Sequence, residues 1–229
     1  MSITRADLLA IEEAAVRGWP APQSAVIDGW VWRYASGGST RANSVATLAF
    51  SGKSLDASID EVERRYREFG APVQFTVCDV SAPADLDAAL AARGYARGAE
   101  HVTMAKRVEA PSGSSAAVVV EIGAEPTAQW MEVYLSGLTP DRRPVAGRLL
   151  AGLPQGRMYF GAFRDGRLVT SGLSIADGEV ASVQCMATLP QAQRQGGARE
   201  VLGAIERWAA RQGCRLLYLQ TGGDNAAAR

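Results

Sequence analysis

The sequence predicts a mixed α/β protein made of two similar halves. Residues 180–186 are small and apolar enough for a buried strand, and a glycine turn connects them to an amphipathic helix. Asp-Gly turns at residues 165–166 and 177–178 are typical of antiparallel hairpins. Because a helix and strand of the first half resemble those after the glycine turn, we expect α+β elements arranged around mixed sheets in both halves.

The first half alternates helices with short strands. Apolar periodicity and turn residues delimit each element. The predicted order is a helix at 5–17, strands at 30–34 and 43–50, a helix at 55–69, a strand at 73–77, a short helix at 85–92 and a strand at 102–106. Glycines between the first two strands predict a hairpin.

The best linker in the chain is Ser112-Gly113-Ser114-Ser115, which follows a proline. We therefore predict a first domain at residues 1–108, a linker at 109–116 and a second domain at 117–229. The predicted elements of the second domain are a strand at 118–120, helices around 130–138 and 144–153, strands at 158–163, 168–175 and 180–186, a helix through Val201 and Trp208, and a strand at 215–220.

Two segments indicate an internal repeat. Residues 63–70 align with residues 206–213, and in each case a glycine and then a strand follow the helix. In this alignment Lys53 of the first half takes the position of Gly196 in the second. A duplicated fold explains the shared order better than two unrelated amphipathic helices.

Composition excludes several classes of protein. Acidic and basic residues number 24 each, so no net field attracts nucleic acid or an anionic membrane. The amino terminus carries acids where a signal peptide needs an apolar core, and no apolar run approaches the roughly 20 residues that span a bilayer. Three widely spaced cysteines favour reduced thiols in a cytoplasmic protein. The single histidine, His101, excludes multi-histidine metal sites, and we expect no metal.

The turn at residues 193–198 has the features of a phosphate-binding site. Its adjacent glycines allow the backbone to approach a ligand closely, since no Cβ lies in the way. The turn also leads into a helix, whose first amides have no partner within the helix and whose dipole favours negative charge. An ordinary strand–turn–helix junction is the alternative.

Gln193-x-x-Gly196-x-Ala198, after a strand ending Ala187-Thr188-Leu189-Pro190, resembles the acyl-CoA pyrophosphate loop of the GNAT N-acetyltransferases. The similarity continues through Trp208-Ala209, a following strand, and Asn225-x-x-Ala228. It implies two tandem GNAT-like domains, of which the second is an acetyltransferase domain. The first would be degenerate, because residues 50–55 do not fit the loop pattern.

The resemblance also implies a reaction and a set of residues. An acyl group passes from acetyl-CoA, or another acyl-CoA, to a primary amine of a small molecule or peptide by direct attack. The strand edge before the loop would pair with the pantetheine arm, and one of its amides would stabilise the oxyanion. The implied cofactor-binding residues are Met186, Ala187, Thr188, Gln193, Arg194, Gln195, Gly196, Gly197, Ala198 and Asn225.

Other residues have two interpretations each. Glu179 is the candidate general base, since the family often carries its base on this strand, but it could also be an exposed turn residue. Asn225 either contacts the CoA arm or caps a turn. Cys185 fits buried packing better than a nucleophile, and Tyr218 fits the core better than a catalytic acid. Residues 40–44 line an acceptor pocket or shape the first hairpin.

The family normally continues beyond the Asn-x-x-Ala segment with a helix that carries an acidic tyrosine and with a closing strand. Both are absent from this sequence, so we predict a second domain without them. Two alternatives to an enzyme follow: a catalytically inactive acyl-CoA-binding protein, and a structural GNAT-like protein. The absence would also leave a sheet edge unpaired, which a second subunit could cover, so a homodimer is a further hypothesis.

Overall fold

The computed structural model describes residues 2–109 and 119–226. The chain divides into two compact units, one of Met1–Gly98 with Pro144–Leu153 and one of Ala99–Arg143 with Pro154–Arg229. This division differs from the predicted boundaries, because a helix of the second half joins the first unit and a strand of the first half joins the second. Most of the predicted linker at 109–116 lies outside the described residues.

The helices are α1 (Arg5–Arg17), α2 (Leu55–Glu68), α3 (Leu86–Ala92), α4 (Ala128–Ser136), α5 (Arg143–Ala151) and α6 (Gly197–Arg211). The strands are β1 (Gln23–Ile27), β2 (Trp30–Tyr34), β3 (Val45–Ala46), β4 (Phe75–Thr76), β5 (His101–Arg107), β6 (Val119–Gly123), β7 (Arg157–Arg164), β8 (Arg167–Asp177), β9 (Val180–Thr188) and β10 (Leu216–Gly222). The predicted mixed α/β class is confirmed.

The first unit contains a four-stranded mixed sheet in the order β1-β2-β3-β4. The predicted pairing of β2 with the strand after it is present, but it is reduced to one register pair, Val31 opposite Ala46. Local periodicity did not predict β1, which pairs with β2 through a tight turn at Asp28 and Gly29. Both turn residues have positive φ, as a two-residue hairpin of this kind requires. The core includes Trp30 and Tyr66, which are fully buried.

The segment at residues 40–44 shapes the loop that precedes it. Residues Arg41–Asn43 form a 3₁₀ turn. The Asn43 side-chain oxygen accepts hydrogen bonds from the amides of Ala35 at 2.9 Å and Gly37 at 3.3 Å. Its side-chain nitrogen donates to the carbonyls of Gly37 at 3.0 Å and Ser39 at 2.7 Å. These four bonds support the structural interpretation of the segment.

The second unit contains a six-stranded sheet in the order β5-β10-β9-β8-β7-β6. All neighbours are antiparallel except β9 and β10, which are parallel. On one face, α6 packs through Val201, Ile205 and Trp208, with Phe160 of β7 in edge contact with Trp208. On the opposite face, Trp130 of α4 lies edge-on against Tyr159. The sheet is therefore covered by helices on both faces.

The strand β5 corrects one expectation. The edge beside β10 was expected to be unpaired, because the closing strand is absent from the sequence. Instead β5, which precedes the linker in sequence, pairs with β10 over its whole length, from Leu216 opposite Arg107 to Gly222 opposite His101. The edge is thus covered by the same chain, and a second subunit is not needed to cover it.

The helices are too short or too polar to cross a bilayer. Among those in the described ranges, none has both the length and the apolar character that a membrane span demands.

Candidate active site

The two parallel strands of the second sheet part halfway along their length. β9 and β10 are in register from Val180 opposite Leu216 to Val183 opposite Leu219, and their pairing ends there. Beyond this point β9 continues along β8 to Thr188, and β10 continues along β5 to Gly222. Two backbone edges that would normally bond to each other are therefore open. Such edges can hydrogen-bond an extended, amide-containing ligand as an added strand would.

A β-bulge in β9 lies where the strands part. Between the register pairs Leu173–Gln184 and Ser171–Ala187, β9 advances by one residue more than β8. Cys185 within the bulge has φ of 52°, in the left-handed region that non-glycine residues seldom adopt. The Ser171 hydroxyl donates to the Cys185 carbonyl at 3.1 Å and holds this conformation. A bulge bends its strand, which accounts for the divergence of β9 from β10.

The predicted phosphate loop follows β9 directly. A 3₁₀ turn at Pro190–Ala192 leads into Arg194, with φ of 61°, and Gly196, with φ of 90°, which is the N-cap of α6. Within the described part of the chain, the amides of Arg194, Gln195 and Gly196 have no hydrogen-bond acceptor. The first amides of α6 add to this set, since they have no acceptor within their own helix. The loop thus presents consecutive donors at the positive end of a 15-residue helix.

Close packing holds the loop and α6 against the sheet. A Cβ added at Gly172 of β8 would lie 2.5 Å from the Val201 side chain and 2.8 Å from the Met186 sulfur. Only glycine allows α6 and β9 to approach β8 this closely. An Arg164 side-chain nitrogen donates to the Gln195 carbonyl at 3.3 Å, which adds a contact between β7 and the loop.

The structure places the predicted cofactor residues along one continuous path. Met186, Ala187 and Thr188 form the parted end of β9, and residues 193–198 form the loop that follows. Asn225 lies in an exposed turn after β10. Its side chain donates to the Thr221 hydroxyl at 2.9 Å and its amide donates to the Gly222 carbonyl at 3.1 Å. These bonds give Asn225 a turn-forming role, and its contact with CoA stays a prediction.

Glu179 lies apart from this path. It sits in the β8–β9 turn, immediately before the strand, and its carboxylate forms an ion pair with Arg215. Its backbone carbonyl accepts from the amides of Arg215 at 2.8 Å and Leu216 at 3.1 Å. At about 3.3 Å per residue, Glu179 is roughly 20 Å along the strand from Cys185. The placement supports the turn interpretation, and a role as general base stays a prediction without structural support.

A row of polar side chains, which the sequence motifs did not reveal, lies on the α4 face of the parting strands. Strand register places Gln184 beside Leu173, and Leu173 beside Tyr159, whose ring contacts α4. The side-chain nitrogen of Gln184 donates to the Ser182 hydroxyl at 3.0 Å. Across the sheet, the side-chain nitrogen of Gln220 donates to the Thr103 hydroxyl of β5 at 3.2 Å. The row consists of Thr103, Ser182, Gln184, Tyr218 and Gln220.

Buried groups shape the electrostatics of this face. Burial raises the pKa of Tyr159, so that its phenol is neutral at pH 7. The buried Tyr218 agrees with the predicted core position, and Ser182 and Gln184 are buried as well. Period-two alternation along β9 could have placed Ser182 and Gln184 on one face. Nothing in the sequence could have added Thr103, since it precedes the predicted linker. Across the described residues, no group of three acidic, cysteine or histidine side chains is arranged to hold a metal ion.

Comparisons with known proteins agree with this geometry. Residues 5–229 match the family described as "Probable histone acetyltransferase Rv0428c C-terminal". The "Uncharacterized N-acetyltransferase YobR" of Bacillus subtilis (strain 168) is 26% identical over 228 residues, which cover 97% of this chain and 91% of that protein.

Solved structures share the fold. A GCN5-related N-acetyltransferase from Kribbella flavida superposes with a TM-score of 0.69 at 15% identity, covering 96% of this chain and 88% of the other. A tandem GNAT protein from the clavulanic acid biosynthesis pathway superposes with a TM-score of 0.61 at 16% identity, covering 81% and 68%. The chain therefore belongs to the family of the probable histone acetyltransferase Rv0428c C-terminal region, and it is a GNAT-type acetyltransferase with a tandem GNAT architecture.

Proposed function

We propose that the protein transfers an acetyl group from acetyl-CoA to a primary amine by direct attack. One observation supports this most strongly: the parting of β9 and β10 lies next to a loop whose consecutive amides have no acceptor in the described chain. A long ligand with a diphosphate at one end and amides in the middle matches both features. Acyl-CoA has this composition.

The loop would hold the diphosphate. The amides of Arg194, Gln195 and Gly196 would donate to its oxygens, and the dipole of α6 would favour its negative charge. The open edge of β9 at Met186–Thr188 would pair with the amides of the pantetheine arm. The bound group supplies a thioester, whose carbonyl carbon is open to attack by an amine.

The bulge would place a donor beside the reacting carbonyl. Met186 has no register partner on β8 or on β10, because the extra residue of the bulge removes it from both ladders. Its amide can therefore donate to the oxygen on which negative charge develops during attack. Removal of one such donor typically lowers the turnover rate by about 10²–10³.

The acceptor amine would approach from the α4 face. The polar row there offers hydroxyl and amide groups, so it can orient a polar amine and hold a water molecule. A water held by Ser182 and Gln184 would take the proton that the ammonium must lose before attack. Replacement of Gln184 by Leu would then lower kcat/KM for the amine while CoA affinity is kept.

A binding experiment with a matched pair of variants tests the proposal. Gly196→Val introduces a β-branched residue at φ of 90°, where an added Cβ meets no neighbour, so the substitution strains the loop without a clash. Gly178→Val does the same at φ of 59° in the β8–β9 turn, at the far end of the strand. Calorimetric titration with CoA and acetyl-CoA is compared for both variants and the wild type.

We expect Gly196→Val to weaken CoA binding at least tenfold and Gly178→Val to change it less than twofold. At about 100 times its Kd, CoA adds roughly 2.7 kcal/mol to the stability of the wild type, which corresponds to a rise in Tm of several degrees. Thiol release from acetyl-CoA is then measured with amines of several classes. Unchanged CoA affinity in folded Gly196→Val would exclude the loop as the binding site.

A further inference from the structure

The first unit contains a buried cation with spare hydrogen-bonding capacity. Arg33 of β2 is 4% exposed. Its Nε donates to the Ser44 carbonyl at 3.0 Å and its Nη2 donates to the Ser44 hydroxyl at 3.2 Å. A guanidinium has five N–H donors. In the described chain, no acceptor contacts Nη1 of Arg33, and neither acceptor of its other nitrogens carries a charge.

The electrostatic surroundings of Arg33 are positive. Burial lowers its pKa to about 10, and the charge of Arg41 lowers it further among the neighbouring groups. Tyr66 and Glu12 act in the opposite direction with smaller effect. The guanidinium is nevertheless protonated at pH 7, because a pKa of about 10 lies well above that pH. The unit thus holds a charge that is out of water and, among the described residues, has no carboxylate hydrogen-bonded to it.

Buried charges in proteins are generally paired with an opposite charge or bind a ligand. The planar fork of a guanidinium matches the two oxygens of a carboxylate or of a phosphate. Two further hydroxyls lie beside it, since the Ser44 and Thr76 oxygens are 2.9 Å apart. The half-buried Arg41 stacks over the ring of Trp19 at 5.2 Å and gives a second cation with partial access to solvent.

The supporting structure is already rigid. The Asn43 side chain ties the loop at residues 35–39 to the 3₁₀ turn that carries Arg41, through four hydrogen bonds. The Tyr66 hydroxyl donates to the Arg33 carbonyl at 2.8 Å and fixes the backbone of β2. The position of the guanidinium is therefore set before any ligand binds.

We propose that Arg33, Arg41, Ser44 and Thr76 form a binding site for a small oxyanion, a carboxylate or a phosphate, in the first unit. This site involves residues other than those of the loop at 193–198 and does not depend on acyl transfer. A purely structural role for Arg33, in which it only connects β2 to the segment before β3, is the competing explanation.

Nuclear magnetic resonance can observe the site directly. The Nε–H group of Arg33 gives a ¹⁵N–¹H signal, which is assigned by its loss in Arg33→Met. Sodium phosphate and sodium acetate are titrated in turn into the full-length protein, with sodium chloride replaced so that ionic strength stays constant. We expect the Arg33 signal to shift along a saturable curve with at least one of the two anions, and to do so equally in Gly196→Val. No shift, or a linear shift that chloride reproduces, would overturn the proposal.

Thermal unfolding gives a second, independent readout. Phosphate at saturating concentration should raise the Tm of the wild type by several degrees over the chloride control. Arg33→Met should lose that rise, while Arg67→Met, at an exposed position of α2, should keep it. An equal rise in all three proteins would show general salt stabilisation and exclude the site. If Arg33→Met fails to fold, the titration of the wild-type signal decides the question.

Discussion

A Cβ atom placed on Gly197 would lie 2.4 Å from the side-chain oxygen of Thr170. The first turn of α6 therefore rests directly on β8. The same Thr170 oxygen is 3.1 Å from the hydroxyl oxygen of Thr188 at the end of β9. Helix, central strand and the strand before the loop meet at this one contact, which fixes the direction in which the loop amides point.

The contact predicts that Gly197→Ala is harmful although alanine favours helices. The new methyl group must push α6 away from β8, which should cost about 1–3 kcal/mol of unfolding free energy and weaken CoA binding. Gly203→Ala is the matched control in the same helix, since its nearest neighbour is the flexible end of the Arg207 side chain at 3.3 Å. That variant should be stabilised by up to about 1 kcal/mol. Urea unfolding measures both, and equal stability of the two variants would contradict the contact.

The bulge in β9 predicts an unusual order of tolerance at Cys185. Glycine adopts a φ of 52° without strain, whereas a β-branched residue does not. Cys185→Gly should therefore unfold close to the wild type, and Cys185→Val should lose about 1–3 kcal/mol. Guanidinium unfolding with tryptophan fluorescence distinguishes the two. A valine variant more stable than the glycine variant would mean that the bulge is absent in solution.

The pairing of β5 with β10 can be tested with proline. The Val108 amide donates to the Arg215 carbonyl at 3.0 Å, so alternation along the strand directs the Lys106 amide toward β10 and the Ala105 amide away from it. Lys106→Pro should break the ladder and cost about 3 kcal/mol or more, whereas Ala105→Pro should cost far less. Hydrogen exchange at residues 216–222 measures the effect.

Lys106 also forms an ion pair with Glu206 at 2.7 Å, so Lys106→Ala is needed as a control. This variant should retain the protection of β10 amides. Equal loss of protection in both proline variants would argue against the observed register.

Glu179→Gln tests the predicted general base. Because the carboxylate is 67% exposed and pairs with Arg215 far from the bulge, we expect the turnover rate to stay within about twofold of the wild type. The loss of an exposed ion pair should cost less than about 1 kcal/mol. Steady-state kinetics from mildly acidic to alkaline pH provide the measurement. If turnover instead becomes slower by about two orders of magnitude, the size expected for loss of a general base, and the acidic limb of the pH profile disappears, Glu179 is the base.

The cysteines should differ in reactivity, which bears on any assay that detects free thiols. Burial raises the pKa of Cys214, so its reactive thiolate is scarce at pH 8 and becomes more abundant as pH rises. Cys78 and Cys185 are partly exposed. Alkylation followed by mass spectrometry should therefore show two faster thiols and a slow third, whose rate increases with pH or in denaturant. Three equal rates at pH 8 would contradict the burial of Cys214.

Local patterns in the sequence predicted most of the fold. The stripe of Val201, Ile205 and Trp208 located α6, and the Asp-Gly turns located the hairpins of the second sheet. Strands of two residues, such as β3 and β4, were predicted too long because tertiary contacts, not local propensity, decide where such pairing ends. β1 was missed, since it is defined by its pairing with β2 rather than by its own periodicity.

The sequence by itself determined the strand, glycine loop and helix at residues 180–211, because backbone conformation there depends on neighbouring residues. Only the tertiary structure decided that β5 completes the second sheet and brings Thr103 beside Gln220. It also decided that Glu179 lies at the far end of β9 and that Arg33 is buried. Pairing and burial of this kind depend on residues distant in sequence, and local periodicity carries no information about which distant segments will meet.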